Sequence, residues 1–236
     1  FGFTGFVVGT FAIYLACMVF VVRLPENFLM REEVLEEERE VQSQINPVPA
    51  WIAIHALFLQ FAAFTALWSF MERIGDANGL DAGTIGTILT FSIAAGFGGA
   101  ALAAWLGNNH GHVLPLVGGL VAAAAAALLL GYTEGLLVYI VGACVINGML
   151  QYTVAYQMGV VAHNDYSGRI AVMIPFILAA SAAVGPPIAG TIAEAQGFTL
   201  VFWGFAAVSV VTISLTIWVG RQNPCQSSGN DNASTK

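Results

Sequence analysis

Long uncharged, apolar runs alternate along the chain with short clusters of charged residues. The runs lie near 1–22, 50–71, 83–106, 113–132, 134–158, 170–193 and 198–219. A helix rises about 1.5 Å per residue, so about 20 apolar residues cross a hydrocarbon core of roughly 30 Å. A membrane β-strand needs about ten residues of alternating polarity, and the run VAAAAAALLL at 121–130 has no such alternation. The pattern therefore predicts an all-α, polytopic membrane protein with seven transmembrane helices.

Charge agrees with this class and orients the chain. Only 9 % of the residues are charged, whereas a soluble domain carries about 25 %. Six of the seven basic residues follow spans one, three, five or seven, and Arg73 alone follows span two. Because positively charged short loops stay in the cytoplasm, we expect the linker after span one and the C-terminus to be cytoplasmic, in a bacterial inner (plasma) membrane.

The pattern divides the chain into four segments: an isolated span at 1–22, an acidic linker at 23–49, six closely spaced spans at 50–220, and a polar tail at 221–236. The linker holds half of the fourteen acidic residues, which favours a solvated segment. The tail lacks apolar periodicity, so we expect disorder. Residues 1–22 lack the basic start and the cleavage site of a signal peptide. The chain begins with Phe inside a span, so we expect that upstream sequence has been lost.

The spans differ in polarity. The run at 113–132 is almost pure Ala, Leu, Val and Gly, so it can face lipid or an apolar neighbour. Two other runs carry groups that are costly against lipid and should face protein or water. The polar residues in or next to these runs are His55, Gln60, Thr65, Ser69 and Glu72, and Asn147, Gln151, Tyr152, Tyr156 and Gln157.

Helical periodicity places some of these groups on common faces. At about 100° per residue, Cys144, Asn147 and Gln151 fall within about 60° of one another. Gln60 lies nearly opposite His55 and Ser69, so we expect it to bond a neighbouring helix. The stripe at 144–151 has two interpretations that the sequence leaves open. The amides hold helices together, at about 0.6 kcal/mol each, or they contact a substrate.

The sixth span carries the motifs that identify a family. It contains a G-R pair at Gly168 and Arg169, a G-P pair at Gly185 and Pro186, and an A-G pair at 189–190. In this pattern the chain resembles the C-terminal half of major facilitator superfamily transporters. The resemblance implies that spans two to seven correspond to helices seven to twelve and that the first span is the last helix of an incomplete N-terminal bundle. It also implies that residues 23–49 are the central cytoplasmic loop and that spans two and five line the substrate cavity.

A second match to the family is partial. Its loop motif D-R-x-G-R corresponds to NNHGH at 108–112, where Gly111 is kept, Asn108 replaces the acid, and Asn109 and His112 replace the basic residues. Charge-controlled switching of the family type is therefore not expected at this loop. The gating candidates that follow from the resemblance and from the ends of the sixth span are Asn108, Gly111, His112, Asp165, Arg169, Gly185 and Pro186. Asp165 and Arg169 are four residues apart, and we expect them to form an ion pair that helps to close the inner gate, at about 0–1 kcal/mol. The alternative is that Arg169 only anchors the helix at the lipid headgroups.

The sequence favours a secondary transporter, or its C-terminal half, that moves a small solute by alternating access. The substrate-cavity candidates are His55, Thr65, Ser69, Glu72, Asn147, Gln151 and Tyr152. The alternative is a seven-helix receptor or sensor without transport. A retinal photoreceptor is excluded because the chain's one lysine is Lys236, in the tail.

Other chemistry has no support in the sequence. No enzyme motif such as H-E-x-x-H occurs, the three cysteines are scattered at 17, 144 and 225, and no basic, aromatic-rich segment suggests nucleic acid. We therefore expect no catalytic residues, no metal and no cofactor. The expected partners are the lipid bilayer, a small-molecule substrate and the missing N-terminal bundle. His55 is the mid-span group that titrates near neutral pH, which fits either proton coupling or a packing role.

Overall fold

The computed structural model describes residues 47–107, 111–165 and 167–222. These residues form seven α-helices and one short 3-10 helix, and the part of the chain described contains no strand. The α-helices are α1 (Val48–Trp68), α2 (Met71–Ala77), α3 (Ala82–Leu106), α4 (Val113–Tyr132), α5 (Leu136–Asn164), α6 (Ile174–Gln196) and α7 (Phe198–Gln222), with the 3-10 helix at Ala171–Met173. The first predicted span, the linker up to residue 46 and the tail from residue 223 lie outside the described residues.

Six segments of the described chain are long and apolar enough to cross a membrane, with α1 and α2 forming one of them. The all-α, polytopic membrane class is therefore confirmed. The bounds of α4 are those predicted, whereas α5 extends to Asn164 rather than ending at 158. The extension follows from burial, because Val160 and Val161 belong to the core and no helix-breaking residue precedes Asp165.

The span at 48–77 is broken near its far end. The Ser69 hydroxyl donates a 2.7 Å hydrogen bond to the carbonyl oxygen of Thr65, and the Phe70 amide donates to Leu67, three residues back, at 3.1 Å. A serine that bonds back to its own helix in this way favours a bend. The break separates α1 from α2 and places Glu72 at the start of the shorter helix.

The helices pack in two rows. α3, α5, α1 and α6 form one row in that order, since each packs against the next. α4 and α7 pack against each other and cover one side of this row, α4 lying on α5, and α7 on α1 and α6. The contacts repeat between the two halves of the bundle, because α3 meets α5 as α6 meets α1, and α4 meets α5 as α7 meets α1. The bundle is thus built from two similar three-helix units.

Glycines allow two close helix crossings within the row, α3 with α5 and α6 with α1. A Cβ atom at Gly99 of α3 would overlap the carbonyl oxygen of Gly148 on α5. One at Gly185 of α6 would overlap the carbonyl oxygen of Ala62 on α1. Small residues let helix backbones approach each other directly, so both crossings depend on the missing side chain.

Buried polar side chains join neighbouring helices. Gln60 of α1 donates from Nε2 to the hydroxyl of Ser209 on α7 at 3.3 Å, which confirms the prediction that Gln60 bonds a neighbouring helix. The hydroxyl of Tyr139 on α5 donates a 2.7 Å bond to the carbonyl oxygen of Met71. Both donors are buried, where a polar group without a partner would be costly.

Candidate functional site

The faces of α1 and α5 that point away from α4 and α7 carry the candidate site, and we call them the open face. Gln60 marks the side of α1 that meets α7, and Ser69 lies nine residues later, about 180° around the helix. Gly142 marks the side of α5 that meets Leu130 of α4, and Gln151 also lies nine residues later. Ser69 and Gln151 are both exposed. The two helices therefore present exposed polar groups on the same side of the row.

On α5 the open face is centred on Gln151. Its neighbour Asn147 is 8 % exposed and lies against Gly96 of α3, where an added Cβ would be 3.0 Å from Asn147 Oδ1 and 3.3 Å from Gln151 Cγ. Cys144, one turn earlier, is partly exposed. The residues of the predicted stripe at 144–151 therefore have different surroundings. Asn147 packs beside α3, whereas the side chain of Gln151 is exposed.

On α1 the open face carries His55 and Ser69, both exposed, and Glu72 is exposed at the start of α2. His55 Nδ1 lies 2.7 Å from the carbonyl oxygen of Trp51 on the same helix. The imidazole therefore does not pack in the core of the bundle. Its position on the exposed side leaves the rest of the ring available to water or solute.

Two cavity candidates have a different place. Tyr152 is 6 % exposed and faces α4, since its ring would lie 2.7 Å from a Cβ at Gly119. Thr65 is partly buried and donates to the carbonyl oxygens of Ala62 and Ser181, at 3.0 and 3.4 Å, the second on α6. Tyr152 thus fills the α4–α5 contact, and Thr65 joins α1 to α6. Helical spacing alone did not distinguish the faces that carry Tyr152 and Thr65 from the open face.

Asp165 and Arg169, the expected ion pair, have different surroundings. Asp165 accepts hydrogen bonds from the amides of Ile170 and Ala171, both at 2.7 Å, and from Ser167, while Arg169 is exposed. Burial alone would raise the pKa of Asp165, but these hydrogen bonds outweigh it and the pKa is lowered. Asp165 is thus a cap for the chain that enters α6.

Of the remaining gating candidates, Gly111 and His112 lie at the start of α4, and Gly185 and Pro186 lie near the middle of α6. Asn108 is outside the described residues. Gly111 has φ +70°, a left-handed conformation that favours glycine, and His112 follows it as the N-cap of α4. Gly185 is buried at the α1–α6 crossing, and Pro186 lies inside α6, where it removes a helical hydrogen bond.

Two residues that shape the candidate site, Gly96 and Tyr156, were not predicted from the sequence. Gly96 leaves the space that the amides of Asn147 and Gln151 occupy. Tyr156 donates from its hydroxyl to the carbonyl oxygen of Gly107, the C-cap of α3, at 3.0 Å. The glycine-rich run at 96–99 was the sequence signal available for Gly96, but the spacing of small residues indicates only close packing of helices. Within the described residues, no group of three or more His, Cys, Asp or Glu side chains is placed to hold a metal ion.

Comparison with known proteins gives one match. The model of the Major Facilitator Superfamily matches residues 53–234, which include nearly all of the six described spans. No curated protein and no solved structure matches the chain significantly. The family match covers most of the chain and agrees with the helical bundle, and the chain therefore belongs to the major facilitator superfamily of membrane transporters.

Proposed function

We propose that this chain forms the C-terminal half of a secondary transporter, and that its open face lines one side of the pathway for a small solute. The observation that carries the proposal is the exposure of Gln151. Of the five carboxamide side chains in α1 and α5, four are buried and Gln151 is exposed. An amide that faces hydrocarbon is costly, so this one is expected to meet water, solute or protein.

In this proposal a second six-helix bundle, encoded upstream, covers the open face. Rocking of the two bundles about a site between them exposes that site to each side of the membrane in turn. Gln151 offers one acceptor and two donors to a solute. His55, exposed on the same face, supplies an imidazole, a side chain that can carry a proton, which suits coupling to protons.

The direct test is a comparison of three variants in the full-length protein. Gln151→Ala and the isosteric Gln151→Met both remove the amide, and Met keeps the volume. The loss of one neutral hydrogen bond of about 0.5–1.5 kcal/mol should raise KM by about 2- to 12-fold at 25 °C. The control Leu129→Ala truncates an exposed side chain of α4, on the covered side of the row, and should leave KM unchanged. Equal KM values for all three, at equal surface expression, would contradict the assignment.

The proposed orientation places residue 47, the α3–α4 connection and the α5–α6 connection in the cytoplasm, as the distribution of basic residues indicates. Single cysteines at Asn78 and at Ser167, in a background without native cysteines, test this in intact cells. An impermeant thiol reagent should label the first position and not the second. Labelling of Ser167→Cys alone would reverse the orientation.

The same proposal predicts that the 236-residue chain by itself inserts in a bilayer but does not transport, because alternating access needs two bundles. Saturable, solute-selective flux into liposomes that contain only this chain would refute the half-transporter interpretation. The alternative of a receptor without transport has less support, since the matched family consists of transporters.

A further inference from the structure

His112, at the start of α4, lies over three positions on one side of α5. Its ring centroid is 6.4 Å from that of Tyr156, with the rings edge to face, and 5.9 Å from that of His163. Between them, a Cβ added to Gly159 would be 3.3 Å from His112 Nδ1 and Cε1. Tyr156, Gly159 and His163 lie three and four residues apart, so they share one face of α5. The His112 imidazole packs on these three residues, which we call its seat.

The same part of α5 also holds the end of α3, through the bond from Tyr156 to the carbonyl oxygen of Gly107. Tyr156 therefore contacts two chain segments at once: the C-cap of α3, at Gly107, and the N-cap of α4, at His112. The position of His112 on its seat is thereby linked to the relative placement of α3, α4 and α5 at this end of the bundle.

The charges around the two imidazoles are unfavourable to a second proton. Burial, and after it the charge of His163, lower the pKa of His112. Among the described residues, Asp165 follows His163 by two positions and remains ionised at neutral pH, since hydrogen bonds from backbone amides lower its pKa, but burial and His163 dominate the pKa of His112. Arg221, at the end of α7, adds positive charge next to Gly220, which packs on Val113 of α4. The packed arrangement is thus suited to a pair in which at least one imidazole is neutral.

We propose that His112 and His163 form a proton-operated latch between α4 and α5, closed while one imidazole is neutral and released when both are charged. In the released state the His112 ring is hydrated, so the burial that lowers its pKa in the closed state is lost. Since the closed state binds the proton on His112 more weakly, acid favours release. For each extra proton bound, the ratio of released to closed molecules rises by at most about tenfold for each unit by which the pH falls. The closed form is therefore favoured above the ordinary histidine pKa of about 6.5 and is progressively lost as the pH falls below it.

The inference concerns a conformational equilibrium and is tested without transport. Spin labels at Leu114→Cys and Ala162→Cys, both exposed positions, report the separation of the α4 start from the α5 end in nanodiscs that contain the full chain. Lowering the pH from 8 to 5 should increase the population at longer distance, by at most about tenfold for each pH unit below about 6.5 and each extra proton bound. The double variant His112→Asn, His163→Asn should show no change with pH. Glu134→Gln, which removes an exposed carboxylate beyond the other end of α4, should keep the full response.

Two outcomes would overturn the latch. One is a distance distribution that does not change with pH in the chain with native histidines. The other is a response that persists in the double variant. Because a variant can fail to fold, histidine carbon-13 NMR of the unsubstituted chain gives a second measurement. His112 should titrate at a lowered pKa, and titration of His112 at the ordinary histidine pKa would also overturn the proposal.

Discussion

The adjacent glycines Gly98 and Gly99 of α3 provide a sharp test of the packing, because one faces open space and the other faces α5. Nothing lies within 4 Å of a Cβ at Gly98, whereas a Cβ at Gly99 overlaps the carbonyl oxygen of Gly148 and lies 2.7 Å from its carbonyl carbon. We expect Gly99→Ala to destabilise the protein and Gly98→Ala to stabilise it slightly.

The magnitude follows from these distances. Raising the 2.7 Å approach to an ordinary contact of 3.4 Å requires that α3 and α5 separate by at least 0.7 Å. A gap of this size removes about a quarter to a half of the dispersion attraction along the interface, and overpacking of this kind costs about 1–3 kcal/mol. Both variants share the gain of about 0.5–1 kcal/mol for Ala over Gly in a helix. The difference between them therefore isolates the crossing, at about 1–3 kcal/mol.

The assay is unfolding of the purified chain in mixed micelles, followed by circular dichroism, with the two variants compared at equal protein and detergent. Gly98→Ala is the matched control, since it makes the same chemical change one residue away. Equal unfolding midpoints for the two variants, or a larger loss for Gly98→Ala, would refute the crossing at Gly99.

Three further outcomes are expected in the same assay. Tyr139→Phe should lower the free energy of unfolding by about 0.5–1.5 kcal/mol, since it removes the buried bond to Met71, and an unchanged midpoint would contradict that bond. Asp165→Asn should abolish the part of the acid dependence of the free energy of unfolding that comes from Asp165. Because the folded pKa of Asp165 is lowered, its contribution is present above about pH 3.9 and is lost as the pH falls through the folded pKa, so an identical pH profile for the variant would refute the cap. Gln60→Leu should leave stability unchanged or raise it by up to about 1 kcal/mol, because Gln60 Oε1 is buried without a partner in the described residues and Ser209 keeps a bond to its own helix; a large loss would show that the α1–α7 bond is needed.

The number and approximate limits of the six described spans could be predicted from the sequence. Bilayer thickness and the cost of charge in lipid act on each segment separately, so a local count of apolar residues is sufficient. The same local argument placed Gln60 opposite the exposed side of α1, and its bond to Ser209 confirms this. The error at the end of α5 arose because His163 and Asn164 look like loop residues by polarity, although Asn164 is buried and continues the helix.

What the tertiary structure decided is which neighbour each face meets. Tyr152 and Gln151 are adjacent and both polar, yet one packs on Gly119 of α4 and the other is exposed. Apolar helix faces do not distinguish lipid from another helix, since both are equally apolar, so periodicity cannot say on which side the neighbours lie. Asp165 shows that spacing is equally insufficient to identify the partner of a charged group. A separation of four residues suggested an ion pair with Arg169, but the carboxylate accepts hydrogen bonds from backbone amides of the following segment. Sequence determined that these helices cross a membrane because that depends on each segment alone, whereas the open face exists only because α4 and α7 cover the opposite side of the row.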